Sequence, residues 1–254
     1  MPAELYPQVP ARALAVYAHP DDPEISCGGT LARWAAAGSE VHLLLLTRGD
    51  KGSRNPADDP DALAVRRGHE VAAAAAVLGL AGHHRLDVDD GDLTNTADLR
   101  REIVVAIRRV RPEVVVCPDP TAVFFGDTYF NHRDHREAGW AALDAVAPAA
   151  ASPHYFPDAG PAHAVAQVFL SGTLEPNLWI DVGDSIDTKV KALLCHESQL
   201  QAAADGHGGF EDAGLADTGF EDTGFGDVLR QRAEDGGRIA GVRYAEGFRR
   251  LRFA

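Results

Sequence analysis

Residues 12–38 read RALAVYAHPDDPEISCGGTLARWAAAG. The run ALAVYA (13–18) is short, apolar and bounded by turn residues, the signature of a strand covered on both faces. GGTLARWAAAG (28–38) is alanine-rich and closed by Gly38, which predicts a helix with a glycine stop. Between strand and helix stand His19, the adjacent pair Asp21 and Asp22, and Glu24. The charge therefore falls at the joint of a strand-to-helix unit.

The same alternation continues outward. EVHLLLLT (40–47) predicts a second strand, and RGDKGSRNPADDPD (48–61) a polar loop. ALAVRRGHEVAAAAAVLG (62–79) predicts a helix ending at Gly79, HHRLDV (83–88) a weak strand, and TADLRREIVVAIRRVR (96–111) an amphipathic helix with a basic last turn. EVVVCPDP (113–120) predicts a further strand. Strands separated by helices imply parallel βαβ units in a Rossmann-like α/β sheet, whose ligands bind beyond the carboxyl ends of the strands. Residues 17–24, Thr47 to Lys51, Asp89 to Asp92 and the chain from Asp119 onward lie at such ends.

Beyond residue 150 the pattern is less regular. HAVAQVFLS (163–171) and NLWIDV (177–182) predict strands, and DSIDTKVKALLCHESQLQAAA (184–204) one long helix capped by Asp184. Residues 205–227 carry seven acids, no lysine or arginine, and the repeats GFED and GFGD. They predict an exposed, acidic, glycine-rich insertion in a single domain spanning 1–254, with no EF-hand spacing for calcium.

With 24 lysines and arginines against 38 acids, the formal net charge is −14, which repels phosphate backbones and argues against a nucleic-acid partner. The absence of an 18-residue apolar run argues against a membrane span, and MPAELYPQVP does not read as a signal peptide. Three widely spaced cysteines, Cys27, Cys117 and Cys195, suit a reduced cytoplasmic protein better than a disulfide framework.

The chemistry concentrates in AHPDD and NHRDH (131–135). Imidazole and carboxylate are ordinary ligands for zinc and related divalent ions, and a catalytic zinc keeps three protein ligands and one open position. His19 and Asp22 offer two ligands and His135 a third. Asp21 and His132 remain beside them, an acid that can take a proton from water and a histidine that can steady an oxyanion or protonate a leaving amine. Each motif alone has a plainer reading: HPDD as a turn and HRDH as a capped helix start. Two such clusters, each following a predicted buried strand, favour the metal. No G-x-G-x-x-G fingerprint or G-x-S-x-G elbow is present, and Cys27 reads as a small buried residue.

On AHPDDPE, CGGTLA, LLTRGDKGS, DDGDL, NHRDHREAG, KVKALLCHESQ and YAEGF, the chain resembles the PIG-L/LmbE-type deacetylases. The resemblance implies an LmbE-like fold and metal-dependent hydrolysis of an N-acetylglucosamine-like amide, with zinc or another divalent ion such as iron(II). It implies His19, Asp22 and His135 as ligands, Asp21 as general base and His132 as the oxyanion-stabilising or acid group. Arg67 and Asp90 would hold the sugar, and the segment with His196 and Gln199 would lie near the substrate. A small-molecule N-acyl amino sugar is the implied partner, and a homo-oligomer is compatible. A larger thiol-sugar amide, or binding without catalysis, remains an alternative. Two departures stand out. Pro23 separates the aspartates from Glu24, and Phe130 occupies the place of a tyrosine in some members, with Tyr129 next to it.

Overall fold

The computed structural model describes residues 4–127, 129–205 and 224–253. Strands β1 (Arg12–Tyr17), β2 (Glu40–Thr47), β3 (Gly82–Val88) and β4 (Val114–Pro118) alternate with helices α1 (Asp22–Ala36), α2 (Pro60–Leu78) and α3 (Ala97–Val110). A hairpin of β5 (Phe124–Phe125) and β6 (Tyr129–Phe130) leads into α4 (Arg133–Asp144). Then come β7 (Gln167–Ser171), β8 (Leu178–Asp181), α5 (Ile186–Leu193), α6 (Glu197–Ala204), α7 (Phe225–Ala240) and β9 (Ala245–Arg252). The sheet order is β3-β2-β1-β4-β7-β9-β8. The first five strands in that order pair in parallel, and β9 runs antiparallel to both β7 and β8. No helix among the described residues is long and apolar enough to cross a membrane.

The two-residue period of β1 splits its side chains between two cores. Leu14 and Val16 pack with Leu99, Ile103 and Ile107 of α3 and the alanines of α4. Ala13, Ala15 and Tyr17 face Leu31 and Trp34 of α1, with Val71 of α2 and Phe248 of β9. Burial on both faces is why ALAVYA is continuously apolar. β3, at the sheet edge, is mostly partly or fully exposed, which accounts for its weak signal.

Helix α1 begins six residues earlier than predicted, at Asp22, with Pro23 in its first turn, where a missing N–H costs nothing. It kinks at Cys27, whose φ/ψ of −146°/18° is not helical. The helix beyond the kink has a new amino end, and Glu246 of β9 meets it: its carboxylate accepts from Gly29 N at 3.0 Å and Thr30 N at 2.7 Å. Lys189 Nζ closes the buried pair at 2.6 Å from Glu246. A Cβ at Gly29 would stand 2.9 Å from Val182, so glycine permits this approach.

The predicted helix 184–204 is two helices, interrupted at Leu194–His196 so that His196 can turn inward. Asp184 does not cap it; the residue before α5 is Ser185, whose hydroxyl donates instead to Gly29 O. Most of the acidic insertion lies outside the described residues, but its last three, Phe225 to Asp227, open α7 instead of continuing a loop. Helix α7 and strand β9 carry no element in the sequence reading.

Candidate active site

The two motifs meet at the carboxyl ends of β1 and β4, adjacent parallel strands whose connections leave in opposite directions. This is the crevice where open α/β sheets bind ligands. The turn after β1 carries His19, Asp21 and Asp22; the amino end of α4 carries His132, Asp134 and His135.

His19 Nδ1, His135 Nε2 and the Asp22 carboxylate converge. The separations are 3.2 Å between the nitrogens, 3.4 Å from His19 Nδ1 to Asp22 Oδ2, and 3.0 Å from His135 Nε2 to Asp22 Oδ1. Bonds of about 2.0–2.1 Å to one tetrahedral ion place its ligands roughly 3.3 Å apart, so the spacing fits. The outer nitrogens fix the tautomers. His135 Nδ1 faces Asn131 Oδ1 at 2.9 Å, and Asn131 is itself oriented by Nδ2 donating to Ala122 O at 2.8 Å. His135 must therefore donate from Nδ1 and keep a lone pair on Nε2. His19 Nε2 faces Asp134 Oδ2 at 3.3 Å and Asp90 Oδ1 at 3.2 Å, which leaves the lone pair on Nδ1. Both lone pairs point at the same place as Asp22. His132 lies close enough to compete as a ligand, since one nitrogen each of His19, His132 and His135 falls within 4.8 Å of the others. The Asp22 set is tighter, and His132 Nδ1 already accepts from Asp134 N at 3.3 Å, capping α4.

The electrostatics also favour a cation. Asp21, Asp22 and Asp134 are buried and Asp90 nearly so, while Arg67 is the one guanidinium bonded to any of these carboxylates among the described residues. Among the described residues, Asp134 Oδ1 has no hydrogen-bond partner. Burial opposes charge on His19, yet Asp22, Asp134 and Asp90 together hold its pKa well above the ordinary imidazole value. Burial likewise works against ionised Asp22, but His135 and His19 draw it well below the usual carboxylate range. His19 overcomes the burial of Asp90 and lowers it to about 2. Asp21 differs: burial dominates and raises it to about 6, with Arg67 and His196 opposing.

The structure gives Arg67 a task other than sugar contact. Only 2% exposed, it donates to Pro20 O at 2.6 Å, Asp21 Oδ2 at 3.1 Å and Gly49 O at 2.9 Å. A Cβ at Gly49 would sit 2.6 Å from the guanidinium, so the glycine of LLTRGDKGS clears its path. Asp90 sits against His19 with its side chain 13% exposed. His196 and Gln199 are buried and are not among the residues that line the cleft; His196 sits behind the turn that carries Asp21. Asn131 and Asp134 stand within NHRDH, but nothing in the motif says which polar residues steer the imidazoles.

A cleft of about 700 Å³ opens at Asp22 and His135 and runs along the carboxyl ends of β4 and β7 and the amino end of β9. Phe125 and Tyr129, on the inner face of the hairpin, form one wall; Arg232, Gly236 and Ile239 of α7 form another. Phe130 points outward, 56% exposed, so of the two adjacent aromatic residues it is Tyr129 that faces the cleft, which Tyr17 also lines.

A buried carboxylate–imidazole centre with an extra acid, set in this crevice, is a group that could hold a metal ion. The chain belongs to the PIG-L family, whose model, described as GlcNAc-PI de-N-acetylase, matches residues 14–146. It is 34% identical to the diacetylchitobiose deacetylase of Thermococcus kodakarensis, over 94% of this chain and 82% of that protein. It is 37% identical to the 1D-myo-inositol 2-acetamido-2-deoxy-alpha-D-glucopyranoside deacetylase of Streptomyces griseus over 62% of this chain, and spans about half (54%) of that relative. The structure of the N,N'-diacetylchitobiose deacetylase from Pyrococcus horikoshii superimposes with a TM-score of 0.79 at 27% identity, covering 96% of this chain and 84% of that one.

Proposed function

We propose that the protein is a zinc-dependent N-deacetylase acting on an N-acetylglucosamine unit joined to a second ring, diacetylchitobiose being the first substrate to test. The observation that carries this reading is the convergence of two imidazole lone pairs on Asp22, with Asp21 beside them as an acid not needed for binding. His19, Asp22 and His135 would hold the ion, a nitrogen–oxygen set that suits zinc and also iron(II). When bound, it polarises the amide carbonyl and makes water more acidic.

The chain's own groups do the rest. Asp21, fixed by Arg67, takes a proton from the attacking water and returns it to the amide nitrogen as the C–N bond breaks, releasing acetate and a free amine. His132 accepts on Nδ1 from Asp134 N, so its proton sits on Nε2, where it can be donated to the developing oxyanion. No residue is acylated. Asp90 is the proposed sugar contact nearest the centre. The cleft is far larger than an acetyl group needs and lies within the roughly 300–1,000 Å³ of sites for multi-ring ligands. Three free thiols, two of them buried, support a reducing, cytoplasmic setting.

Acetate release from diacetylchitobiose and from monomeric N-acetylglucosamine, with and without chelator, tests the proposal. Chelator-sensitive release that favours the disaccharide is expected. Undiminished release after complete metal removal, or none from any N-acetylated sugar, contradicts it.

A further inference from the structure

Asp21 holds a φ of +92°, a backbone conformation that non-glycine residues keep only where the surroundings over-determine it. From the chain before it, the restraint is Arg67, bonded to Pro20 O and to Asp21 itself. From the chain after it, Asp21 O accepts from Ile25 N at 3.1 Å, so the first turn of α1 fixes its carbonyl. That turn contains Glu24, 2% exposed, whose Oε2 lies 3.4 Å from Nε2 of His196, itself 0% exposed. The contact is electrostatic: neither nitrogen of His196, nor Oε2 of Glu24, makes a hydrogen bond among the described residues.

His196 reaches this position because the chain breaks its helix between α5 and α6. Ser198 then pins the start of α6 to α2, its N and Oγ lying 2.7 and 2.6 Å from the Glu70 carboxylate. Glu70 is one turn from Arg67 on the same helix. Both restraints on the Asp21 turn are thus rooted in α2, one directly and one through Ser198, His196 and Glu24. Burying an imidazole against a carboxylate oxygen, when these atoms have no other partner among the described residues, is costly unless the contact serves the structure around them.

We infer that His196, acting through Glu24, is a positioning residue for Asp21, holding from one side the strained turn that Arg67 holds from the other. The inference rests on Asp21 being the general base. It also gives Glu24 a place: with Pro23 in the first turn, its carboxylate turns away from the cleft and toward His196.

The test uses His196→Asn and the near-isosteric Glu24→Gln, so that a folding failure of one leaves the other. Supporting positions around metal and catalytic groups typically contribute about 10–100-fold, so both variants should lose kcat by that factor with KM changed less than about twofold. Metal content should be unchanged. In an Asp21→Asn background neither should cause a further loss, because both act through the same carboxylate. A crystal structure of either variant should show Asp21 outside the left-handed region. Losses that multiply with Asp21→Asn, or an Asp21 φ that stays positive, overturn the inference. Should the unaltered protein hydrolyse no acetamide, the proposed function fails separately, and the backbone of Asp21 in the variants still decides this one.

Discussion

Strands β3, β2, β1 and β4 run parallel and end in loops that carry the proposed metal-site residues, from His19 to His135. Strands β7, β9 and β8 belong to the same sheet, but their ends contribute cleft wall: Ser171 to Thr173, Trp179, and Ala245 to Gly247. The difference follows from topology. Parallel strands with helical crossovers bring several carboxyl ends and helix amino ends to one edge, so ligating groups can meet at the β1/β4 crevice. The antiparallel β9 instead sends its amino end to that edge, where Glu246 braces the kinked α1. One half holds the proposed centre and the other lines the cleft beside it.

If that division is right, substitutions in the two halves fail differently. The largest effect belongs to Asp21→Asn, which should retain the metal and lose about 10²–10⁴-fold in turnover, as removal of a general base does. Turnover within a factor of a few would move the base elsewhere. Next is Asn131→Ala. It frees His135 to rotate and should weaken metal binding about 10–100-fold, read by competition with a chelator. Unchanged affinity would mean that Asn131 does not set the tautomer.

In the other half, Gly236→Ala puts a Cβ into the carbonyl oxygen of Ala245. It should cost about 1–3 kcal/mol of stability in thermal or denaturant melts while metal content stays whole. Loss of metal in that variant would break the comparison. The smallest effect is expected from Tyr129→Phe. It keeps the aromatic wall and removes only the hydroxyl, so kcat should hold and KM for the disaccharide should rise by a few-fold, about the 0.5–1.5 kcal/mol of one neutral hydrogen bond. A collapse of kcat would instead give the phenol a catalytic role.

The same division governs what the sequence makes legible. ALAVYA, EVHLLLLT and EVVVCPDP are buried on both faces, so hydrophobic runs alone locate β1, β2 and β4. The ligand residues stand in compact motifs at strand ends, where topology supplies their meaning. Groups that act by contact across long sequence distances leave no such trace. Glu246 reaches Gly29 over 217 residues, and Ser198 reaches Glu70 over 128. Arg108 gathers the carbonyls of Ala149, Ser152, Tyr155 and Phe156, folding a loop that no periodicity announces. The reading of 184–204 as one helix fails at Leu194 to His196, where the chain turns and His196 is buried against Glu24. The resemblance implies Arg67 as a sugar contact, while its pairing with Asp21 depends on Gly49 leaving room, which only coordinates show.

The central claim is that His19, Asp22 and His135 hold one divalent ion. Elemental analysis of the purified protein beside His19→Ala and His135→Ala tests it most directly, with circular dichroism confirming that all three are folded. One equivalent of metal per chain in the parent and little in either variant is the predicted result. Full metal content in both folded variants would contradict it.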